Sequence, residues 1–508
     1  MIPSPGTSRV PSKIQRGLAF LGSFVVSSII AGCISTDGLA PQAERQQAET
    51  LATDAAIRAA AEEAGWPEVR WWAAYGDPQL DALIDSALRD SPTLAEATAR
   101  IRQALALAGA TEAAEQPQAD AQAAIQRHHW PTDFFYGPGE LADTTTWFSN
   151  AALGLSYPLD FWGRERSNSE RARNLVQLAA AEARVAQLEL ESNIVRSYVM
   201  LALHYAQLDI GEAMLAQQQE MLELAQRRLD GGLGTEFEVS QAQVPIPETR
   251  RKIDALQEAI ALNRNQLAAL AGKGPGAGAS LQRPRLRLSG TPGLPSKLPA
   301  ELLGHRPDVV AARWKVAAEA KGVDVARADF YPNIDLIASL GYNAVQGSML
   351  GVFSGHKFNY TAGPALSLPV FDGGRLRGQL GQAAAAYDAA VAQYNQTLVT
   401  ALKDISDQLI RLRSAEHQAQ LAAQSVAAAQ TAYRLAQDAY DGGLTDYLNV
   451  LHAQTSLFQQ QLIQQKVEAS RLAVRADLAV ALGGGLAAPE DSPTPNVLEP
   501  ATVPVRKP

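Results

Sequence analysis

The segment Leu229-Asp-Gly-Gly-Leu-Gly-Thr-Glu-Phe-Glu-Val-Ser-Gln-Ala-Gln243 returns 211 residues later as Tyr440-Asp-Gly-Gly-Leu-Thr-Asp-Tyr-Leu-Asn-Val-Leu-His-Ala-Gln454. Seven of these fifteen positions are identical, and neither copy is of low complexity. A second pair keeps the same offset, since Leu155-Ser-Tyr-Pro-Leu-Asp-Phe-Trp-Gly-Arg164 matches Leu366-Ser-Leu-Pro-Val-Phe-Asp-Gly-Gly-Arg375. Two separate segments at one offset indicate a duplicated unit, and a repeat constrains every later fold assignment.

The N-terminus has the pattern of a secretory signal peptide. Arg9, Lys13 and Arg16 precede an apolar run over 18–30, and the run is followed by small residues and Cys33. A basic start, a short apolar run and small residues at the cleavage point are typical of such signals. The run is too short to predict a membrane-spanning helix. Cys33 is the only cysteine of the chain, so it cannot form an intramolecular disulfide.

This segment resembles the lipobox of bacterial lipoproteins, in which the cysteine after the small residues becomes the acylated first residue of the mature protein. The resemblance implies lipid attachment at Cys33. By analogy with bacterial lipoproteins, Ile34 in the next position, where no Asp stands, allows transfer to the outer membrane. The alternative is an ordinary signal peptide that ends by chance in a cysteine. We expect no cofactor other than this lipid.

The composition argues against a nucleic-acid partner and against an enzyme. The 508 residues include 44 lysines and arginines and 53 aspartates and glutamates, for a net charge of −9, and no concentrated basic stripe is present. No nucleophile elbow, phosphate-binding loop or zinc-ligand spacing is visible in the sequence. His128 and His129 have no acidic or thiol ligands near them in the sequence, so we expect no metal site there.

Four segments alternate apolar residues with polar or small ones, which is the period of a β-strand. They lie at about 118–127, 147–159, 333–343 and 358–370 and form two predicted hairpins. Strands of about ten residues have the length of a tilted strand that spans a membrane. The alternative is a pair of hairpins half-buried in a soluble sandwich. The lack of further strands to pair with and the aromatic residues near the strand ends disfavour that alternative.

A very long helical pattern follows each hairpin, from about 164 to 230 and from about 375 to 441. At 1.5 Å per residue, a helix of this length is a rod of roughly 100 Å. Each rod ends at Asp-Gly-Gly-Leu, where glycine can take the left-handed conformation that ends a helix. A second helix then returns, and in the second half it shows a heptad pattern that includes Leu448, Thr455 and Phe458. Pro245 and Pro247 predict a bend at the start of the returning helix in the first half.

These patterns divide the chain into six segments. They are a lipoprotein signal peptide (1–32), a lipid-anchored lead-in (33–75), a first repeat (76–275), a connector (276–299), a second repeat (300–485) and a disordered tail (486–508). Within the repeats, the β-hairpins cover about 118–159 and 333–370, and the long helical hairpins cover about 164–271 and 375–484.

Four strands are too few for one chain to work alone in a membrane. They cannot close a barrel, and an open sheet edge is not tolerated in lipid because its backbone groups have no hydrogen-bond partners. If the hairpins lie in a membrane, several chains must therefore contribute strands to one barrel, and three chains would supply twelve strands. The helices lead to the same expectation, since a hollow tube requires more than four of them.

The order of these features resembles the outer membrane factor family of TolC/OprM-like channels, and most closely its lipidated, NodT-type branch. The resemblance rests on the lipobox at Cys33, the opening that runs from Trp71-Trp72 to Gly-Asp-Pro-Gln-Leu80, the paired Leu-Ser-x-Pro strand ends and the duplicated Gly-Gly-Leu turn. It implies an α+β membrane protein that forms a homotrimer. Four strands from each chain would build a twelve-stranded outer-membrane β-barrel, continued by a long periplasmic coiled-coil tunnel of α-helices.

The function implied by this resemblance is that of the outer-membrane exit duct of a tripartite efflux pump. The duct would passively conduct drugs or other small molecules from the periplasm to the exterior. Its partners would be outer-membrane lipid, a periplasmic adaptor protein and an inner-membrane transporter of the resistance-nodulation-division (RND) type. The alternatives are the outer-membrane component of a type I protein secretion system and a lipid-anchored structural coiled-coil protein.

The resemblance also implies a pore gate at the start of the last helix, where the family has an aliphatic residue followed four positions later by an aspartate. The matching residues are Leu448 and His452, with Asp446 and Asn449 beside them. This chain keeps the aliphatic residue and replaces the gate aspartates by Asn449 and His452, which puts a ring of carboxylates in doubt. Because Leu448 also fits the heptad pattern, packing inside the coiled coil is its alternative role.

The two Gly-Gly-Leu turns are expected to form the periplasmic tips at which the adaptor docks. Their residues are Gly231, Gly232 and Leu233 in the first repeat and Gly442, Gly443 and Leu444 in the second. Asp404 and Asp407 lie one helical turn apart and could line the lumen, although a solvated helix face is the more ordinary explanation.

We predict that the gate responds to pH through His452. Three imidazoles around one axis would titrate near neutrality, so the channel should open or change its ion selectivity below about pH 6.5. The measurement is single-channel conductance between about pH 5 and pH 8 in the wild type and in His452→Ala. A conductance that is flat over this range and unchanged in the variant would contradict the prediction.

Overall fold

The computed structural model describes residues 36, 38–47, 51, 67–132, 142–287, 305–344 and 357–485. The predicted signal peptide, the lipid site at Cys33, parts of the hairpin loops, the second half of the connector and the C-terminal tail lie outside these residues. The chain divides into two compact units. The strand unit comprises residues 1–45, 102–177 and 314–393, and the helical unit comprises residues 46–101, 178–313 and 394–508.

The strand unit contains one antiparallel sheet with the strands in chain order. Its members are β1 (Gln118–Trp130), β2 (Thr144–Pro158), β3 (Asn333–Ala344) and β4 (Phe358–Ser367). The hairpins β1–β2 and β3–β4 join through ten residue pairs between β2 and β3, from Ser149 opposite Ala344 to Pro158 opposite Asp335. This central ladder, which the repeat pattern alone did not predict, combines one hairpin from each repeat into a single sheet.

One face of this sheet is apolar and exposed. Side chains alternate along a strand and cross-strand partners share a face, so the register places nine apolar residues together. They are Ile125, Leu153, Leu155, Tyr157, Leu336, Leu340, Phe358, Tyr360 and Leu366, with exposed fractions between 37% and 74%. The opposite face is mostly polar or small, with Gln122, Asn150, Ser339 and Thr361 among its residues. The sheets of water-soluble proteins bury their apolar face instead.

Eight α-helices accompany the sheet in the described residues. They are α1 (Pro78–Asp90), α2 (Pro92–Ala113), α3 (Arg164–Asp230), α4 (Glu236–Gln243), α5 (Pro245–Leu270), α6 (Pro307–Ala328), α7 (Arg375–Asp441) and α8 (Tyr447–Ala481). Helices α3 and α7 each have 67 residues, and the chain passes from one unit to the other within both. The predicted bend at Pro245 is a break between α4 and α5, which places both prolines in a first helical turn, where no hydrogen bond is lost. None of the described helices is sufficiently long and apolar to cross a bilayer.

The core of the helical unit is built around the tryptophan-rich opening of the ordered chain. Trp71, Trp72 and Tyr75 are buried together with the middle of α3 and the end of α8. The Tyr75 hydroxyl donates to the Leu472 carbonyl at 2.7 Å, and the Trp71 indole N–H donates to Glu191 at 3.1 Å. Burial raises the pKa of the Glu191 carboxyl. The Trp71–Tyr75 segment therefore connects α3 and α8 through its buried rings and their polar atoms.

Asp77 is the polar centre of this region, where its buried carboxylate accepts three hydrogen bonds. The donors are the Gln79 backbone N–H at 2.9 Å, the Tyr198 hydroxyl at 2.9 Å and the Arg285 backbone N–H at 2.7 Å. The first bond caps α1. The third ties the start of the first repeat to the segment that follows it, 208 residues further along the chain.

We predict that Asp77→Ala destabilises the protein by on the order of 2 kcal/mol or more, because it leaves the Tyr198 hydroxyl and the Arg285 N–H without their acceptor. The measurement is thermal unfolding followed by the loss of helical circular dichroism. Asp85→Ala is the matched control, since Asp85 pairs with Arg70 at the surface at 3.1 Å and should contribute less than about 1 kcal/mol. Equal losses in the two variants would contradict the prediction.

Candidate functional site at the helical hairpin tips

The first tip is a tight turn that ends α3. The Leu233 N–H donates to the Arg228 carbonyl at 2.8 Å and the Gly232 N–H donates to the Leu229 carbonyl at 3.0 Å. This pair of bonds is the Schellman motif, which requires a left-handed residue after the helix cap. Gly232 fills that position with φ +71°, a conformation that favours glycine.

The second tip repeats this geometry at the end of α7. The Leu444 N–H donates to the Ala439 carbonyl at 2.8 Å, the Gly443 N–H donates to the Tyr440 carbonyl at 3.0 Å, and Gly443 has φ +71°. Both turns leave their leucine in solvent, since Leu233 is 76% exposed and Leu444 is 85% exposed. A Schellman motif commonly packs this apolar residue back on its own helix, and here both leucines are free for another surface.

The helices that return from the two tips are capped differently. Thr235 and Glu238 form a reciprocal capping box at the start of α4. At the start of α8, the Asp446 carboxylate accepts from the Asn449 backbone N–H at 3.2 Å and from the Asn449 side-chain amide at 3.0 Å. The same amide also donates to the Thr445 hydroxyl at 2.7 Å. Asp446 and Asn449, two of the four predicted gate residues, therefore hold the first turn of α8 in place.

A buried column of tyrosines joins the two hairpins above their tips. Tyr433, Tyr440 and Tyr447 are buried in one cluster with Met221 and Ala225 of α3. The rings of Tyr440 and Tyr447 have centroids 5.9 Å apart. Burial raises the pKa of all three hydroxyls, in Tyr447 to about 12, so they stay neutral at physiological pH. Their spacing of seven residues is visible in the sequence, but they lie outside the predicted heptad pattern of Leu448, Thr455 and Phe458.

Two polar contacts connect α3 to this column. The Arg228 guanidinium lies 5.0 Å from the centre of the Tyr440 ring, a cation–π contact. The Gln217 amide donates to the Tyr433 hydroxyl. The second repeat has Ala439 where the first has Arg228, so only the first hairpin supplies a cation for this contact. The tips are thus held to each other by contacts that differ between the repeats.

The predicted packing face of α8 is wrong near the tip. The buried residues there are Tyr447, Val450, Gln454 and Leu457, whereas Leu448 is 36% exposed. The physical reason is that the Tyr447 ring covers more apolar surface than a leucine would, and it turns the helix so that its neighbour faces outward. The alternative role of Leu448, packing inside the coiled coil of its own chain, is therefore not observed.

Leu448 belongs to an exposed stripe that continues along α8. The stripe consists of Leu448, His452, Thr455, Gln459, Ile463, Lys466 and Ser470, which follow each other by three or four residues. This spacing places them on one side of the helix. In the first repeat, Phe237 takes the place of Leu448 and is 65% exposed.

Asp404 and Asp407 are engaged in ion pairs. Asp407 pairs with Lys403 at 2.6 Å, and Asp404 lies 3.5 Å from Arg306. The Arg306 side chain is nearly buried and also donates to the carbonyls of Ala401 and Ala481, at 3.3 and 3.2 Å. Asp404 therefore takes part in the contacts of Arg306 with α7 and α8, whereas Asp407 forms an ion pair within α7.

Comparison with known proteins identifies the family. A sequence profile described as "Outer membrane efflux protein" matches residues 83–273 and 298–484, one match in each repeat. The chain belongs to the outer membrane efflux protein family. The resemblance drawn from the duplicated turn, the strand ends and the N-terminal opening is thereby confirmed.

Named relatives support the same conclusion. The chain is 50% identical over 372 residues to the "Fusaric acid resistance protein FusA" of Burkholderia cepacia, covering 73% of this chain and 70% of that protein. It is 31% identical over 484 residues to the "Multidrug resistance outer membrane protein MdtP" of Escherichia coli strain K12, covering 92% and 96%. The crystal structure of the outer membrane protein VceC from Vibrio cholerae superposes with a TM-score of 0.77 at 35% identity, covering 83% and 100%.

The predicted location in the outer membrane and the predicted role in efflux are confirmed by these relatives. The solved neighbours are outer-membrane channels, and they share with this efflux protein a mostly helical chain with a small sheet. The family is one of efflux channels, not of enzymes. Lipidation at Cys33, the trimer, the pump partners and the gate stay predictions.

We predict that Asp446→Ala loosens the start of α8 by about 1 kcal/mol, the usual effect of removing an N-cap side chain. The measurement is amide hydrogen exchange over residues 447–450, which should become faster. Asp441→Ala is the control at the opposite side of the same turn, since Asp441 closes α7, where a negative charge opposes the helix dipole. Faster exchange of similar size in both variants would show that the cap has no special role.

Proposed function

We propose that three copies of this efflux protein form one twelve-stranded outer-membrane barrel and a helical tunnel, the exit duct of a tripartite pump. The exposed apolar face of the sheet is the observation that carries this proposal. In the proposed barrel the nine apolar side chains face the lipid and the polar face lines the pore. This is the arrangement that membrane barrels use, apolar outside and polar inside.

The edges of the sheet support an assembly of several chains. Within one chain, β1 and β4 each pair on one side only, and unpaired backbone groups are costly in a bilayer because no water can satisfy them. Pairing β1 of one copy with β4 of the next satisfies every edge once the ring closes. Four strands from each of three copies give twelve.

Aromatic side chains near the strand ends support a membrane boundary there. Phe161 is 67% exposed, Trp162 50%, Tyr331 51% and Phe371 88%. Trp162 stacks on Tyr331 with ring centroids 4.6 Å apart, and its indole N–H donates to the Pro332 carbonyl at 2.9 Å. Aromatic girdles of this kind mark the interfaces of membrane barrels with water. We place the periplasmic surface of the outer membrane at these residues.

The N-terminal segment supports a lipid anchor at the same level. Leu39 packs in a cluster with Leu376 and Leu380, at the start of α7, and the backbone N–H groups of Gln42 and Ala43 donate to Asp388 at 2.9 and 2.8 Å. Cys33 precedes Leu39 by six residues, which can span at most about 20 Å. Leu376 in turn follows the boundary residue Phe371 by only five positions. An acyl chain on Cys33 would therefore be within reach of the membrane without loosening these contacts.

The tips support a gate and a docking site. Leu448 and His452 are exposed on the first turns of α8, where three copies around one axis would narrow the lumen. Asp446 and Asn449 hold that turn, and the contact between Arg228 and Tyr440 holds it against the neighbouring hairpin. In this proposal, opening requires the contact between Arg228 and Tyr440 to break so that the hairpins can separate.

The exposed leucines of the tips are the proposed contacts for the periplasmic adaptor, which would connect the duct to an inner-membrane RND-type transporter. Three copies present six such leucines around the pore mouth. Relatives are named for multidrug resistance, fusaric acid resistance and pyoverdine export. Small organic molecules are therefore the proposed cargo, in preference to the polypeptides of a type I secretion system.

We predict that the double variant Leu233→Asp/Leu444→Asp abolishes efflux-dependent drug resistance in cells, because charged tips cannot bury against an adaptor. The purified variant should keep the trimeric mass and single-channel conductance of the wild type. Val69→Asp is the control, since Val69 is 62% exposed and lies away from the tips in sequence. Full resistance with the double variant would contradict adaptor docking at the leucines, and a monomeric wild type without ion current would overturn the duct itself.

A further inference from the structure

A groove runs along the helical unit between α7 and α8, with a volume of about 510 Å³. We call it the α7–α8 groove and define it by Ile410, Arg411 and Ser414 of α7 and Ile463, Lys466 and Ser470 of α8. None of the proposed gate or docking residues lines it. Its residues combine exposed apolar side chains with exposed cationic ones.

The first kind is apolar. Ile410 is 54% exposed and Ile463 is 46% exposed, and they form opposite walls of the groove. The floor consists of the buried side chains of Ala415 and Val474. Exposed β-branched side chains that face each other over a buried floor offer contact to a flat or elongated apolar group.

The second kind is cationic. Arg411 and Lys466 both line the groove and are exposed, and no acidic residue is among its described lining residues. The acids nearest in sequence are engaged elsewhere. Asp407 pairs with Lys403 at 2.6 Å, Glu416 with Arg475 at 3.9 Å and Glu468 with Arg471 at 2.7 Å. Within the part of the chain that the structure describes, neither Arg411 nor Lys466 forms an ion pair.

Hydroxyl and amide groups complete the groove. Ser414 lies one turn after Arg411, Ser470 lies one turn after Lys466, and Gln418 follows on α7. These side chains can donate hydrogen bonds to an anion that the two cations attract. The local charge of +2 contrasts with the net charge of −9 for the whole chain, so the groove differs in sign from the average surface.

The position of the groove connects it with the path of the cargo. Ile463, Lys466 and Ser470 continue the exposed stripe of α8 that begins with Leu448 and His452. Fourteen residues separate His452 from Lys466, about 20 Å along a helix. If Leu448 and His452 face the lumen, the groove faces it too, farther from the tip along α8 than these gate residues.

We propose that the α7–α8 groove binds amphipathic organic anions, molecules with an apolar ring or chain and one carboxylate or sulfonate group. The inference rests on the proposed duct, whose lumen it requires. The isoleucine walls hold the apolar part, and Arg411 and Lys466 hold the acidic group. Three copies would present three such grooves around the lumen, a relay of weak sites for acidic cargo behind the gate.

The test uses the full-length protein in planar lipid bilayers and follows block of its ion current. The probes are 1-naphthoate and its neutral isostere 1-naphthamide, which share the ring and differ in charge. Naphthoate should block at concentrations roughly tenfold lower than naphthamide, because it adds charge-assisted hydrogen bonds to the same apolar contact. The variant R411Q/K466Q should keep its conductance and lose this preference.

The matched control is R89Q/R434Q, which removes the same total charge from exposed positions outside the groove. Arg89 lies on α1 and Arg434 on α7, and neither lines the groove. This control should keep the preference for naphthoate. A preference that persists in R411Q/K466Q, or that is missing in the wild type, would contradict anion binding in the groove and leave the proposed duct intact. The absence of any current would overturn the duct, and the groove with it.

A second measurement tests access from the lumen. Cys33 is the only natural cysteine. The variant Lys466→Cys is treated with an anionic thiol reagent, sulfonatoethyl methanethiosulfonate, and the wild-type protein treated in the same way is the control. Modification should reduce the current of the variant alone and weaken its block by naphthoate. An unreactive thiol in the assembled channel would show that another protomer covers the groove, which contradicts the proposal.

Discussion

The ladder between β2 and β3 is the interaction on which the rest of this structure depends. Each repeat supplies only a two-stranded hairpin, and an isolated hairpin is at best marginally stable. Ten residue pairs join the two hairpins into one sheet with a continuous apolar face. The same ladder brings the ends of β2 and β4 to one end of the sheet, and α3 and α7 begin shortly after them. In the proposed trimer, the two unpaired edge strands, β1 and β4, pair with the edge strands of neighbouring copies.

The repeats share a backbone plan and differ in the side chains that bring them into contact. Both tips are Schellman turns with the same hydrogen bonds and the same left-handed glycine. The column of Tyr433, Tyr440 and Tyr447 exists only in the second repeat, because the first has Leu222, Leu229 and Glu236 at the equivalent positions. The cation over Tyr440 comes only from the first repeat, through Arg228. The two hairpins of one chain are therefore unlike, and each contributes side chains to their contact that the other repeat lacks.

The stripe along α8 relates the gate to the groove. It changes from Leu448 and His452 at the tip to Ile463 and Lys466 further along, so one helix face carries both the proposed gate residues and one wall of the cationic groove. In the proposed duct, cargo that moves outward from the periplasm reaches the groove after it passes the gate. A weak site there would raise the local concentration of acidic cargo without the tight binding that would slow its exit.

Local patterns of the sequence determined much of this protein: the duplication, the two long helices, the strands with period two, and the glycine turns at the tips. Each of these follows from interactions between residues a few positions apart, so the sequence displays them directly. Only the tertiary structure decided which face of α8 is buried, that β2 pairs with β3, and that Arg411 and Lys466 share a groove without an acid. These features depend on contacts between residues tens to hundreds of positions apart. A heptad pattern is compatible with several packing faces of α8, and the burial of a large ring such as Tyr447 against the neighbouring helices decides between them.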